Sequence, residues 1–246
     1  LRVDLAGRVA FGRILRGIEL LLAAGRDVSV IAVVSDPSPQ RARRLHAFAA
    51  ELGCTWLGVN IEEREGVNAQ RPTTRDLNRT AEFWAELLRC WQENPRVQVR
   101  EIDRALGFAA HTLREQPSPS RPAMIEPLPT VAFDGSVTLI SPELAGFTSE
   151  RHGVFSCGNV LDEPLDQLID RGLAANWVRE YRRGLRNCRD LCPYFDFCGG
   201  GHPSNRHFEH GRLDTTETAY CQNSKIALME GVIGVAHHNI IRNHPR

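Results

Sequence analysis

Phe11, Ile14, Leu15, Ile18 and Leu22 recur at helical spacing, and Gly25 stands where a helix C-cap glycine belongs. Leu1, Val3 and Leu5 before them alternate as the tail of a strand would. The run at 29–35 is continuously apolar and rich in β-branched residues, the pattern of a parallel strand buried on both faces. Asp36-Pro-Ser-Pro39 breaks the chain and opens a second helix, with Ala42, Leu45, Phe48, Ala49 and Leu52 facing inward and Gly53 ending it. A strand is expected at 54–61, a polar loop at 62–70, and a third helix carrying Phe83, Trp84, Leu87, Leu88 and Trp91. A further strand is expected at 97–102. Helices alternating with buried strands imply right-handed crossovers and a parallel sheet, so the fold class is α/β.

Three prolines between Gln116 and Pro122 exclude both a helix and a central strand. This places a linker at 116–124, between domains at 1–115 and 125–246. Beyond it, two alternating runs at 129–140 meet at Asp134-Gly135, a strong hairpin signal. Segments 164–170 and 174–183 read as helices. The second carries Arg179, Arg182, Arg183, Arg186 and Arg189 toward the cysteines, which suit either a solvated face or the steering of an acidic peptide.

Lys plus Arg balance Asp plus Glu at 30 each, which argues against bulk nucleic-acid affinity. No run approaches the roughly 18 apolar residues of a membrane span, and no signal peptide is visible. The seven cysteines fit metal ligation in a reducing cytoplasm better than a secreted disulfide scaffold. The chain opens on Leu and reads as a piece of a longer protein.

Cys188, Cys192 and Cys198 follow the spacing C-x3-C-x5-C, Gly199-Gly200-Gly201 lies directly after, and Cys221 lies downstream. Thiolates this close suit a soft-metal cage. Glycines let the backbone pass tightly around a bulky centre. Zinc ribbons show two close Cys-x2-Cys pairs, whereas this pattern has one loose pair and two single thiols. It therefore favours a 4Fe–4S cluster, which takes four thiolates. Cys54, opening a strand, and Cys90, on a helix, read as core thiols.

The stretch from Cys192 to Cys221, CPYFDFCGGGHPSNRHFEHGRLDTTETAYC, resembles the C-terminal half of a SPASM domain, the auxiliary-cluster module of radical S-adenosylmethionine (radical SAM) peptide maturases. CGGG, a following Asn and Glu, and the Thr-Glu-Thr-x-Tyr-Cys ending together are most similar to the cyclophane-forming subgroup. The resemblance extends upstream to FGRILRGIELLLAAG, SVIAVVS and ELGCTWLGVNIEEREGVN, and so covers most of the chain. It implies the second half of a partial TIM-type radical SAM barrel, followed by a small Cys-rich SPASM-like domain. It also implies an auxiliary 4Fe–4S cluster on Cys188, Cys192, Cys198 and Cys221. The chain departs from the full two-cluster pattern. His202 stands where another cysteine is expected, and Cys157 lacks its usual cysteine partners. Cys157 with His202 is then a remnant of a second cluster or an unrelated pair.

The resemblance implies S-adenosyl-L-methionine and a second 4Fe–4S cluster, on a CxxxCxxC motif, in the full-length parent. This chain lacks that motif and alone is not expected to cleave SAM. The implied reaction joins a side chain of a ribosomal precursor peptide to an aromatic residue, with a flavodoxin or ferredoxin as electron donor. Asn60 and Glu62, with Glu63 and Glu65, follow a strand on the face where such barrels work. They would meet SAM or the peptide, or form a solvated acidic loop. Asp196, between Phe195 and Phe197, is a candidate proton acceptor with a pKa set by burial, or else a backbone cap. The alternatives are a sulfatase-maturating or thioether-forming relative, a non-catalytic zinc-stabilised peptide-binding module, and a degenerate protein that only binds the peptide.

Overall fold

The computed structural model describes residues 3–70, 76–114 and 125–243. Helix α1 (Phe11–Ala23), strand β1 (Ser29–Val34), helix α2 (Pro39–Glu51), strand β2 (Trp56–Ile61), helix α3 (Leu77–Glu93), strand β3 (Gln98–Val99) and helix α4 (Arg100–Leu113) follow one another. The strands form a parallel sheet in the order β1–β2–β3, with Val30 opposite Leu57 and Leu57 opposite Val99. The α/β alternation read from hydrophobic spacing is thus present.

Three expectations are corrected. Strand β1 is not buried on both faces: Ile31 and Val33 are 63% and 62% exposed. It is an edge strand, because β2 is its one partner among the described residues. The strand expected at 97–102 ends at Val99 and becomes α4. Ile102 and Ala105 lie buried three apart on one face of that helix, and Glu101 and Asp103 favour its first turn. Glu101 also reaches back, its Oε2 accepting from the Val59 backbone N–H at 2.8 Å. Finally, Val3 makes a single antiparallel bridge to Val9 around a turn closed on the Asp4 carboxylate, so 1–5 is not a regular strand in its described part.

The chain divides into two compact units. The first takes Leu1–Ile61, Asp76–Gly107 and Ala227–Arg246; the second takes Glu62–Arg75 and Phe108–Ile226. This differs from a single break at 116–124, a stretch outside the described residues. The difference arises because the C-terminal helix (Ala227–Asn243) returns to pack on α3. A Cβ on Gly231 would lie 2.5 Å from the Ala81 carbonyl oxygen, so glycine permits this close approach. Helix α3 is the core of the first unit: Phe83 to Leu88 are all buried, and Phe83, Trp84 and Leu87 fully so. Each such large apolar side chain contributes about 1.5–3 kcal/mol on burial.

The second unit carries strands β4 (Thr130–Val131), β5 (Ser136–Thr138), β6 (Thr148–Ser149), β7 (Gly153–Val154) and β8 (Gly158–Asn159). The hairpin signal at Asp134-Gly135 joins β4 to β5 antiparallel. Gly135 adopts φ +84°, and Asp134 Oδ1 accepts from the Ser136 N–H at 3.0 Å. Helices α5 (Leu165–Leu173), α6 (Asn176–Leu191), α7 (Phe195–Cys198), α8 (Pro203–His210) and α9 (Ala219–Cys221) follow, with a π-helical turn at Gln222–Ile226. Helix α6 runs on to Leu191, past the expected end at 183, because Trp177, Val178, Tyr181, Leu185 and Cys188 keep one buried face. That face joins Val137, Leu139, Leu144, Phe155, Leu168 and Leu213 in one core. Among the described residues no helix is long and apolar enough to cross a membrane.

Candidate metal centre

Four cysteines come together because each sits at the end of a local element. Cys188 lies in the last turn of α6, and Cys192 is that helix's C-cap. Cys198 closes the short helix α7, after which Gly199, Gly200 and Gly201 all take positive φ (+76°, +101°, +73°). A Cβ on Gly200 would lie 2.4 Å from Leu185 Cδ2, so the glycine turn is required for the chain to pass α6. Cys221 ends α9, where Thr218 caps the turn: its Oγ1 accepts from the Cys221 N–H at 3.1 Å. Glu209 holds the same turn from α8, its Oε2 accepting from the Ala219 N–H at 2.6 Å.

Cys188, Cys192, Cys198 and Cys221 line one small space, together with Tyr194, Phe195, His202, Arg206 and Thr218. Burial pushes the Cys188 thiol up and the Cys221 thiol up to about 11. Such thiols stay protonated at neutral pH unless a bound cation stabilises the thiolate. Among the described residues no group of three or more His, Cys, Asp or Glu could hold a single metal ion.

Arg206 supplies an independent test of fit. It is 1% exposed, and among the described residues it forms no ion pair with a carboxylate. Its Nη2 donates to Cys188 Sγ at 3.1 Å and to the Gly200 carbonyl; its Nη1 donates to the Leu213 carbonyl at 2.9 Å. A buried cation is costly without a counter-charge. The nearest chemistry able to supply one is the thiolate set that a bound cluster would bring. The donor set therefore fits an iron–sulfur cluster. Spacing had pointed to the four thiols, but nothing local marks Arg206, whose bonds to Cys188 and Gly200 depend on the fold.

The other candidates are placed differently. His202 lines the same space and meets Tyr220 edge-on at 5.2 Å between ring centroids. Cys157 instead packs in the apolar core, and a Cβ on Gly172 would lie 2.5 Å from its Sγ. The two do not share a site. Asp196 is a correction. Phe195 and Phe197 turn inward from the single turn of α7 and leave Asp196 between them exposed, outside the residues that line the space. Cys54 and Cys90 are core thiols, 3% and 8% exposed.

At the end of β2, Asn60 Oδ1 accepts from Arg100 Nη2 at 2.8 Å. Glu62 is half-buried in the loop beyond. Glu63 and Glu65 of the same loop meet Asn205, the Asn after the glycine run. Asn205 is fully buried, and its Nδ2 donates to Glu63 Oε2 and Glu65 Oε1, each at 2.8 Å. Ser204 Oγ donates to Glu65 Oε1 at 2.6 Å. Burial pushes both carboxyls up, Glu65 to about 7, with neighbouring Glu charges adding to the rise and these hydrogen bonds opposing it.

The Glu65 shift predicts a pH dependence. A carboxyl whose folded pKa lies above its unfolded value of 4.5 binds more protons when folded. Stability therefore falls as pH rises from 4.5 to about 7, and levels off above that. The group is partly solvated, so the fall is about 1–2 kcal/mol, well under the full value of the shift. Glu65→Gln is expected to flatten this slope and to gain most of that stability at pH 8. Denaturant unfolding at pH 5 and pH 8 checks it, and an unchanged slope in the variant refutes it.

No protein-family model matches the chain. The uncharacterized protein sll1766 of Synechocystis sp. is 28% identical over 242 residues, covering 95% of this chain and 59% of that protein. Among solved structures, anSMEcpe with bound AdoMet is similar at a TM-score of 0.60 and 19% identity, covering 98% of this chain and 64% of that one. AnSMEcpe with bound AdoMet and Kp18Cys peptide is similar at a TM-score of 0.61 and 19% identity, covering 98% and 65%. The chain thus spans less than two thirds of these relatives. At such identities the likeness establishes a shared mixed α/β fold.

Proposed function

We propose that this chain is part of a radical SAM maturase acting on a ribosomally made precursor peptide, and that it carries an auxiliary 4Fe–4S cluster on Cys188, Cys192, Cys198 and Cys221. The observation that carries this reading is the convergence of the distant Cys221 with the three clustered thiols on one space, beside a fully buried arginine with no carboxylate partner among the described residues. The fold shared with anSMEcpe, a radical SAM maturase solved with AdoMet and peptides, supports the class. The exposed Ile31 and Val33 of edge strand β1, with Phe11 and Leu20 of α1, support further barrel strands covering this face in the parent protein.

In the complete protein, SAM at a first cluster would supply the hydrogen-abstracting radical, and the auxiliary cluster would accept an electron. This chain's residues hold and insulate that second centre. The glycine turn follows Cys198, the Thr218 cap and Glu209 together hold the turn that carries Cys221, and Phe195 lines the space. The subgroup resemblance favours a carbon–carbon bond between a peptide side chain and an aromatic ring. The shared fold with anSMEcpe supports a sulfatase-maturating type as the second reading.

Two measurements test the proposal. Anaerobic reconstitution of this chain with iron and sulfide is expected to give a brown protein holding one 4Fe–4S cluster; a colourless, iron-free chain overturns it. The full-length parent, supplied with SAM, reductant and a precursor peptide, is expected to form deoxyadenosine and a peptide lacking one hydrogen from each of two newly joined carbons. A modified peptide with no new carbon–carbon bond favours the second reading.

A further inference from the structure

The arginine beside the thiols has a consequence beyond cluster binding. We propose that Arg206 is a fixed counter-charge that raises the reduction potential of the auxiliary cluster; the inference rests on the cluster reading above. The guanidinium is immobilised from several sides. The Leu213 and Gly200 carbonyls accept from it, and Cys188 Sγ lies 3.1 Å from Nη2. The Tyr181 ring packs against it at 5.1 Å, itself tied by its hydroxyl to the Gly201 carbonyl at 2.7 Å. On α6, a Cβ at Gly184 would lie 2.0 Å from Arg206 Nη1, so that position must be glycine for the guanidinium to fit.

Neighbouring charge is arranged to leave this cation uncompensated by carboxylate. Asp214, next to Leu213, pairs instead with Arg212 at 3.0 Å and Arg183 at 3.8 Å, both exposed. A cluster on four thiolates carries net negative charge, and one-electron reduction adds one more unit with no bond made or broken. A buried positive charge in van der Waals reach of a ligand sulfur stabilises the reduced form more than the oxidised form. An N–H···S bond acts in the same direction. Arginine suits the task because it stays charged when buried and its planar fork engages sulfur and carbonyls together. Arg206 is therefore a positioning and charge-setting residue for the centre, not a group that meets the peptide.

The test is a redox titration of the reconstituted chain, followed by EPR. Arg206→Gln is expected to shift the midpoint to more negative potential and to weaken iron retention about 10–100-fold. Arg206→Lys, which keeps the charge, is expected to recover much of the potential. Because Arg206→Gln can also disturb folding, the unaltered chain grown with 15N-labelled arginine gives a second readout. Pulsed EPR of its reduced cluster is expected to detect coupling to a guanidinium nitrogen. A clustered chain with no such coupling, or an Arg206→Gln protein with full iron and an unchanged midpoint, overturns this inference alone. A chain that forms no cluster overturns the function proposed above, and this inference with it.

Discussion

Serine in place of Cys188 is expected to lower bound iron at least tenfold and to remove the visible absorption of the reconstituted chain, a loss at or beyond the roughly 10–100-fold typical of merely supporting residues. Cys188 is 5% exposed, and its sulfur is already placed by α6, so the substitution changes chemistry and not position. A serine hydroxyl is a harder, less acidic ligand and holds iron poorly in a thiolate set. The same loss is expected at Cys192, Cys198 and Cys221, which line the same space. Cys54→Ala is the control: this thiol lies in the other unit's core, and iron content is expected to be unchanged. Cys157→Ala addresses the second cluster. Buried among Leu139, Leu168 and Gly172, Cys157 is expected to leave iron untouched when replaced. Iron analysis and EPR on all six positions read the outcome, and full iron in Cys188→Ser would sink the ligand assignment.

Alanine at Glu180 is expected to cost the apo chain about 2–5 kcal/mol, the range for emptying a fully buried side chain, with the His152 hydrogen bond lost as well. Glu180 sits fully buried on α6, in line with the cysteine-bearing turn. His152 Nε2 hydrogen-bonds its Oε2, and Arg151 Nε stands 3.3 Å from the same oxygen. His152 is itself buried, near the Phe155 ring, so removing the carboxylate strands it among apolar groups. Glu180→Gln keeps the shape and an acceptor, and is expected to cost less, about 1–3 kcal/mol. Urea unfolding under reducing conditions measures both. An alanine variant within about 1 kcal/mol of the unaltered chain would mean the pair behaves like an exposed one.

Much of this protein is readable from short-range pattern. Phe83, Trp84, Leu87 and Leu88 mark the buried face of α3, Asp134-Gly135 marks the hairpin, and the cysteine spacing marks the thiols that line one space. These signals are legible because helix period, turn conformation and thiol spacing are properties of neighbouring residues. Strand β1 misled for the same reason. Its β-branched run matches a buried strand, but burial depends on what lies alongside it, and Ile31 and Val33 have no covering element among the described residues.

Asp196 shows the limit at the site itself. Flanked by two phenylalanines, it has the sequence of a buried acid, yet one turn of helix sends Phe195 and Phe197 inward and leaves Asp196 outside. The half-buried carboxylates of the loop after β2 are Glu63 and Glu65, held by Asn205 from about 140 residues away along the chain. By itself, then, the sequence determined the α/β alternation, the hairpin and the four thiols, since each follows from local spacing. Tertiary structure alone decided that Arg206 faces Cys188, that Glu65 meets Ser204, and that the C-terminal helix closes on α3. Charge pairing and burial act through space. Their partners are chosen by packing, and no local pattern encodes which distant residue will arrive.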